Sequence, residues 1–218
     1  NNMTQIINSF QKDLNGQLKN LTKTTGFKGT QLGTTGVMKA YQRSLDTALL
    51  EVATGTFSFD EACNRVVREM AQSGLRSIDY ASGRSYQLDT AARMCVRTSI
   101  SRMAGRITEA NCKSSGVDLV IVSQHEGARP EHADVENKVF SMSGHSRKYP
   151  YFKDPLPCDG GEGAGYGDVT GICGVNCRHT FYPFWEGISE IPEALPEYEP
   201  VEVNGKEYDY YKATQEQR

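Results

Sequence analysis

The sequence predicts an α+β protein with a helical N-terminal half, then a small antiparallel-sheet module, then an extended acidic C-terminal tail. Three observations predict it. Apolar residues recur at spacings of three and four through the first half, the period shifts to a short β-branched run at Val117–Ser123, and prolines and glutamates repeat beyond Ile188. The expected organisation is residues 1–36 as an amphipathic helix and linker, 37–115 as a helical region, 116–187 as the α+β module and 188–218 as the tail.

In chain order, Met3, Ile6, Ile7, Phe10, Leu14, Leu18 and Leu21 form one apolar stripe, so residues 1 to about 23 read as a helix that needs a partner surface. Thr24–Gly36 is rich in Thr and Gly and reads as a linker. Val37, Tyr41, Leu45, Ala48, Leu49 and Val52 share the face of a second helix that stops at Thr54 and Gly55. Ser58 followed by Glu61 is a capping box, in which each side chain satisfies a backbone N–H that the helix start leaves open. The helix it opens runs to Gln72, with Phe59, Cys63, Val66, Val67 and Met70 inward and Gly74 as its stop. Asp89 opens a long fourth helix carrying Ala92, Val96, Ile100, Met103 and Ile107.

Val117–Ser123 then reads as a buried strand, with Lys138–Met142 and Arg178–Phe184 as its candidate sheet partners. Between those partners, Asp159–Gly174 holds seven glycines, which predicts a long irregular loop pinned by something or functional. From Ile188, Pro192, Pro196 and Pro200 predict an arm laid over a surface or disordered when alone.

The chain has 218 residues, 38% of them hydrophobic and 23% charged, which excludes disordered, collagen-like and membrane classes. No run approaches the roughly 18 apolar residues of a membrane span. No basic start followed by an apolar core marks a secretory leader, and Asn1 in place of Met is expected of a fragment or a processed chain. The net charge of −3 conceals an asymmetry, because Trp185–Arg218 carries nine acids against three bases and leaves 21 bases and 18 acids on the rest. A mildly basic body with an acidic tail lacks the strong field of a dedicated nucleic-acid binder. Arg93, Arg97, Arg102 and Arg106 lie one turn apart in pairs on the fourth helix; they make either a solvated face or a contact for phosphate or an acidic partner.

Two constellations carry the chemistry. Ser123-Gln-His-Glu-Gly-Ala-Arg-Pro-Glu-His132 follows the central strand and presents His125, Arg129 and His132 from a rigid base. A general acid or base, or a metal ligand, would be drawn from His125 and His132, with Arg129 beside them in an enzyme site; the competing assignment is a turn made by Gly127 and Pro130, with Arg129 paired to an acid and the histidines bonded to backbone. The second is Cys173-Gly-Val-Asn-Cys-Arg-His179. Cys177 and His179 fall on one face of an extended segment, and with Cys173 and His132 they make a candidate zinc set, Cys158 being the alternative fourth ligand. A disulfide from Cys173 to Cys177 or Cys158, or plain buried thiols, are the alternatives. Phosphate-loop, nucleophile-elbow and Cys-x-x-Cys redox signatures are absent from the sequence.

Six stretches, in order, carry a resemblance: Tyr80-Ala-Ser-Gly-Arg84, Leu88-Asp-Thr-Ala-Ala-Arg93 with Arg97-Thr98, Gly116-Val-Asp-Leu-Val120, the Ser123–His132 segment, Lys138-Val-Phe-Ser-Met-Ser-Gly144, and Thr170-Gly-Ile-Cys-Gly-Val-Asn-Cys-Arg-His-Thr-Phe-Tyr-Pro-Phe184. Together they cover about Ile78 to Ile188, and they resemble the phage minor capsid protein 2 family of tailed bacteriophages, related to the Mu F-like head morphogenesis proteins. In such families the Arg-Pro-x-His and Asn-Cys-Arg-His segments are hallmarks, here Arg129, Pro130, His132 and Asn176–His179. One departure stands out: an aromatic and a Gln-Gly pair are expected before the Lys-Val strand, where this chain has Val135, Glu136 and Asn137.

The resemblance implies a structural virion protein, not an enzyme. It would be made in the bacterial cytoplasm, sit with the portal vertex in a multi-copy assembly, and meet the portal protein, the major capsid protein or both. It would act in head assembly or DNA packaging, with packaged DNA as a further contact and ejection with the genome as a corollary. The alternative is an enzyme carried in the virion, a metal-dependent nuclease or an ADP-ribosyltransferase-like protein using His125, Arg129 and His132. A zinc-stapled adaptor without catalysis is the third class.

Overall fold

The computed structural model describes residues 36–80, 82–195, 200–203 and 205–208. The predicted helix over residues 1–23 and nearly all of the linker lie outside them. The chain divides into two compact units, Asn1–Met103 and Ala104–Arg218. The mixed α+β class is as predicted: helices dominate the first half and short antiparallel strands the second.

In the first unit, α1 (Gly36–Ala53) buries Tyr41, Leu45, Ala48 and Leu49, spacings that place all four on one face of a 3.6-residue helix. It packs against α2 (Phe59–Gln72), whose buried face is Ala62, Cys63, Val66 and Met70. The capping box is formed: the Glu61 N–H donates to Ser58 Oγ at 3.3 Å, and the Ser58 N–H donates to Glu61 Oε2 at 3.0 Å. A hairpin of β1 (Ser77–Asp79) and β2 (Ser85–Gln87), each too short to show a period, was not legible in the sequence. It leads into α3 (Leu88–Ser114). Leu88, Ala91, Ala92, Met94, Cys95, Val96, Thr98 and Ser99 are all buried, so this part of α3 is enclosed on several faces. Small side chains suit such a position.

In the second unit, β3 (Leu119–Val122) is the centre of a three-stranded antiparallel sheet, flanked by β4 (Val139–Ser141) and β5 (Phe181–Pro183). Val120 faces Phe140 on one side and Pro183 on the other, and Val122 faces Phe181. The core beneath is aromatic. Phe152 stacks on Tyr166 at 4.9 Å and meets Phe181 edge-on at 4.8 Å. Ala164 and Ile172, from the glycine-rich segment, are fully buried in this core.

That segment is pinned from within. A Cβ at Gly171 would lie within 3 Å of the Gly165 carbonyl oxygen, and one at Gly163 would meet the Asp154 carbonyl just as closely. Two backbone strands approach there at a distance only glycine permits. At the other end of the sheet, Asp118 accepts from Ser141 Oγ at 2.7 Å and from the Ser143 N–H at 2.8 Å.

The tail begins in a turn, where the Ile188 and Ser189 N–H groups donate to the Trp185 carbonyl, and the residues after it are strapped down. Gln124 Nε2 donates to the Glu193 carbonyl at 2.6 Å while Gln124 Oε1 accepts from the Leu195 N–H at 3.0 Å. Further on the tail differs from the expected plain arm. β6 (Val201–Val203) and β7 (Lys206–Tyr208) pair as a hairpin, with Gly205 at φ 75° in the connection. The sequence Asn204-Gly205 is a strong short-range hairpin signal. The prolines and acids around it pointed instead to an extended chain.

Candidate functional site

Three pieces of the second unit converge. β3 ends at Val122, and Ser123 then ties to Thr180 through two bonds, its N–H to the Thr180 carbonyl at 2.9 Å and the Thr180 N–H to Ser123 Oγ at 3.0 Å. The strand end and the segment before β5 are thereby held side by side. A single helical turn, α4 (Pro130–Ala133), starts at Arg129 with Pro130 in its first turn, where its fixed φ suits a helix start. That turn aims His132 inward.

The third piece is Cys173–His179. Cys177 and His179 are buried while Arg178 between them is exposed, which is the period-two alternation of extended backbone. Cys173 and Asn176 are both left-handed, at φ 61° and 56°. Asn tolerates that region; Cys does not do so readily, and the surrounding structure must enforce it.

The geometry centres on one sulfur. Cys177 Sγ lies 3.6 Å from His132 Nδ1 and 3.5 Å from His179 Nδ1. The far nitrogen of each ring meets an acceptor. His132 Nε2 is 2.7 Å from the Thr170 carbonyl oxygen, and His179 Nε2 is 2.7 Å from Glu136 Oε1. A carbonyl oxygen only accepts, so the proton of His132 is assigned to Nε2. Arg129 Nη2 also donates to the Thr170 oxygen at 3.2 Å, and its 2.9 Å approach to His132 Nε2 follows from two donors sharing one acceptor. Glu136 Oε1 also accepts the His125 N–H, so it is the acceptor here and His179 carries its proton on Nε2.

Burial pushes the His179 imidazole down to about 3, helped by the nearby His125, His132 and Arg129 side chains, which would repel a charged ring. Its contact with Glu136 is therefore a neutral N–H donating to a carboxyl group, although its geometry is that of an ion pair. Burial also lowers His132, outweighing the Thr170 bond, and raises both Glu136 and the Cys177 thiol. The Cys173 N–H points at Cys177 Sγ, 3.3 Å away. His125 lies at the edge, its ring 4.2 Å from that of His179 and its N–H donating to Glu136 Oε1 at 3.0 Å. The donor atoms of His132, Cys177 and His179 all fall within 4.8 Å of one another, and so do those of His125, Glu136 and His179.

The whole chain, residues 1–218, matches the profile described as phage minor capsid protein 2. The chain belongs to the phage minor capsid protein 2 family. A curated relative, a "Structural protein" of Lactococcus phage LL-H, is 26% identical over 193 residues, covering 85% of this chain and 49% of the relative. The chain thus spans about half the length of that relative. No solved structure matches. Membership in this family supports a structural capsid role. No helix among the described residues is long and apolar enough to cross a membrane.

Within this family member, the candidate residues distribute as follows. His132, Cys177 and His179 come together. Cys173 gives its amide to the cluster, but its sulfur lies elsewhere, 3.8 Å from the His179 carbonyl oxygen and 3.3 Å from where a Cβ on Gly105 would sit. Its left-handed backbone turns the side chain away. Cys158 is exposed on a short 3-10 turn, Pro157–Asp159, outside the cluster. All six cysteines are unbridged thiols, so neither proposed disulfide is present.

Of the residues assigned to an enzyme, His125 and Arg129 are half-buried beside His132, which is 1% exposed and bonded through Nε2 to the Thr170 carbonyl. Among the helix arginines, Arg93 bonds Asp89 at 3.0 Å, Asn64 at 3.0 Å and also Asp60, while Arg97 lies over the Phe59 ring at 5.4 Å. Arg102 is half-buried and Arg106 is exposed. Glu136 and Thr170 are acceptors in the cluster that the sequence reading missed. No local pattern links either to an imidazole about 40 residues away in sequence. The one available signal was the departure at Glu136-Asn137: Glu136 serves as the acceptor for His179, and Asn137 occupies a left-handed position, φ 56°, where glycine was expected.

Proposed function

We propose that this chain is a minor structural component of a tailed-phage head, located at the portal vertex and acting in head assembly or DNA packaging. Its partners are the portal protein, the major capsid protein or both. The observation that carries the reading is the family match over all 218 residues. The site adds a physical argument: groups that a catalyst would present to substrate are used up inside the core, His132 on Thr170 and His179 on Glu136. Such a cluster serves as a rigid plug that holds two loops together.

Arg93 and Arg97 are spent on acids and an aromatic ring of their own unit, so the reading places the partner contact on protein instead of DNA. The exposed Trp185, Ile188 and Ile191, beside the run of acids beginning at Glu186, form an arm of mixed apolar and anionic character suited to a capsid or portal groove.

Mass spectrometry of purified DNA-filled heads, with asymmetric imaging of the vertex, tests this. The chain is expected in low copy number, with density against the portal. Its presence in infected cells but absence from heads would overturn the reading.

A further inference from the structure

We propose that His132 Nδ1, Cys177 Sγ and His179 Nδ1 are three protein ligands of a tetrahedral divalent metal site of zinc type.

Distance is the first argument. An ion holding a thiolate at about 2.3 Å and an imidazole nitrogen at about 2.0–2.1 Å, at tetrahedral angles, sets those two ligand atoms about 3.5 Å apart. The two sulfur–nitrogen separations here are 3.5 and 3.6 Å.

Proton counting is the second. Both Nε2 atoms spend their protons on acceptors: Thr170 O, which can only receive, and Glu136 Oε1, which also receives the His125 N–H. Both Nδ1 atoms therefore face Cys177 with bare lone pairs. A thiol has one proton and satisfies one of them, leaving the other lone pair opposed to the sulfur's own. A cation between the three satisfies all of them, and the thiol proton is released to solvent as the thiolate forms.

The outer shell is the third. Metal-bound histidines characteristically donate their other ring N–H to a carboxylate or a backbone carbonyl, which fixes the tautomer and orients the ring. His179 has the carboxylate and His132 has the carbonyl. The Cys173 amide, aimed at Cys177 Sγ by a left-handed backbone, is the kind of donor that stabilises a metal-bound thiolate. Thiolate with imidazole donors in a tetrahedral set suits zinc or cobalt over magnesium or calcium, which prefer oxygen ligands.

The test is a titration of the reduced full chain with Co²⁺ and Zn²⁺. One equivalent of Co²⁺ is expected to give intense tetrahedral visible bands and a sulfur-to-cobalt charge-transfer band, both bleached by Zn²⁺. Cys177→Ser should lose the charge-transfer band, whereas Cys158→Ser, which removes the exposed thiol, should keep it. If Cys177→Ser does not fold, X-ray absorption of the zinc-loaded unaltered chain decides instead, with one sulfur and two imidazole nitrogens expected. Failure of the folded, reduced chain to bind either ion stoichiometrically would overturn the site, as would a charge-transfer band that survives in Cys177→Ser or a zinc shell without sulfur.

Discussion

His179 Nε2 donates to Glu136 Oε1 across 2.7 Å, a contact between residues 43 apart in sequence that is enclosed within the α+β unit. Because burial keeps the imidazole neutral, the pair is held by a hydrogen bond and not by full charges. Removing the acceptor strands a buried N–H, which costs about 1–3 kcal/mol. Glu136→Leu is therefore expected to lower stability by that amount in urea titrations, while Glu136→Gln, which keeps an acceptor oxygen, should lose less. Equal losses in the two variants would show that the hydrogen bond is not what Glu136 contributes.

Gly171 has no room for a side chain. A Cβ would press on the Gly165 backbone, and neither strand of the loop is a flexible side-chain end that can move aside. Gly171→Ala should cost about 1–3 kcal/mol or more through overpacking. Gly160→Ala, in the same loop but with open space around it, suffers only the strain of its left-handed φ of 80°. Thermal unfolding of the two variants side by side distinguishes tight packing from backbone strain.

The capping box at the start of α2 is a local device and should respond locally. Ser58→Ala removes the acceptor of the Glu61 N–H and is expected to cost about 1 kcal/mol. Hydrogen exchange should rise in the first turn of α2 and stay unchanged in the sheet of the second unit.

Asp118 gives the acid-side behaviour its sign. Burial alone would raise its carboxyl, but the Ser141 hydroxyl and the Ser143 hydroxyl and N–H outweigh it and hold the group below the ordinary aspartate value. A carboxyl lowered in the folded state contributes stability that is complete above its unfolded value of about 3.9 and is lost as pH falls through the folded value. Asp118→Asn should therefore flatten the decline in stability between about pH 5 and pH 2. A decline as steep as in the unaltered chain would rule out Asp118 as a contributor.

Much of the frame was legible because it rests on local periods. The apolar stripe from Tyr41 to Leu49, the Ser58–Glu61 pair and the β-branched run at Val120–Val122 each announce themselves within a few residues. The cluster was legible in composition and only partly in geometry. Alternation placed Cys177 and His179 together on one face, and a histidine after Pro130 was a reasonable third member. Which of Cys173 and Cys177 turns inward depends on two left-handed residues, and no period predicts those. Glu136 escaped notice because its partner is distant in sequence. The hairpins at β1–β2 and β6–β7 escaped because three-residue strands carry too little pattern.

The sheet order also fixes when this unit can become whole during synthesis. β3 lies in the middle, yet its neighbour β5 and the residues Cys177 and His179 are made about 60 residues later. Until the ribosome releases that stretch, the chain lacks β5, the core ring of Phe181 and the sulfur that His132 Nδ1 faces. A premature stop just ahead of Cys177 thus removes a strand, an aromatic anchor and the sulfur in one stroke.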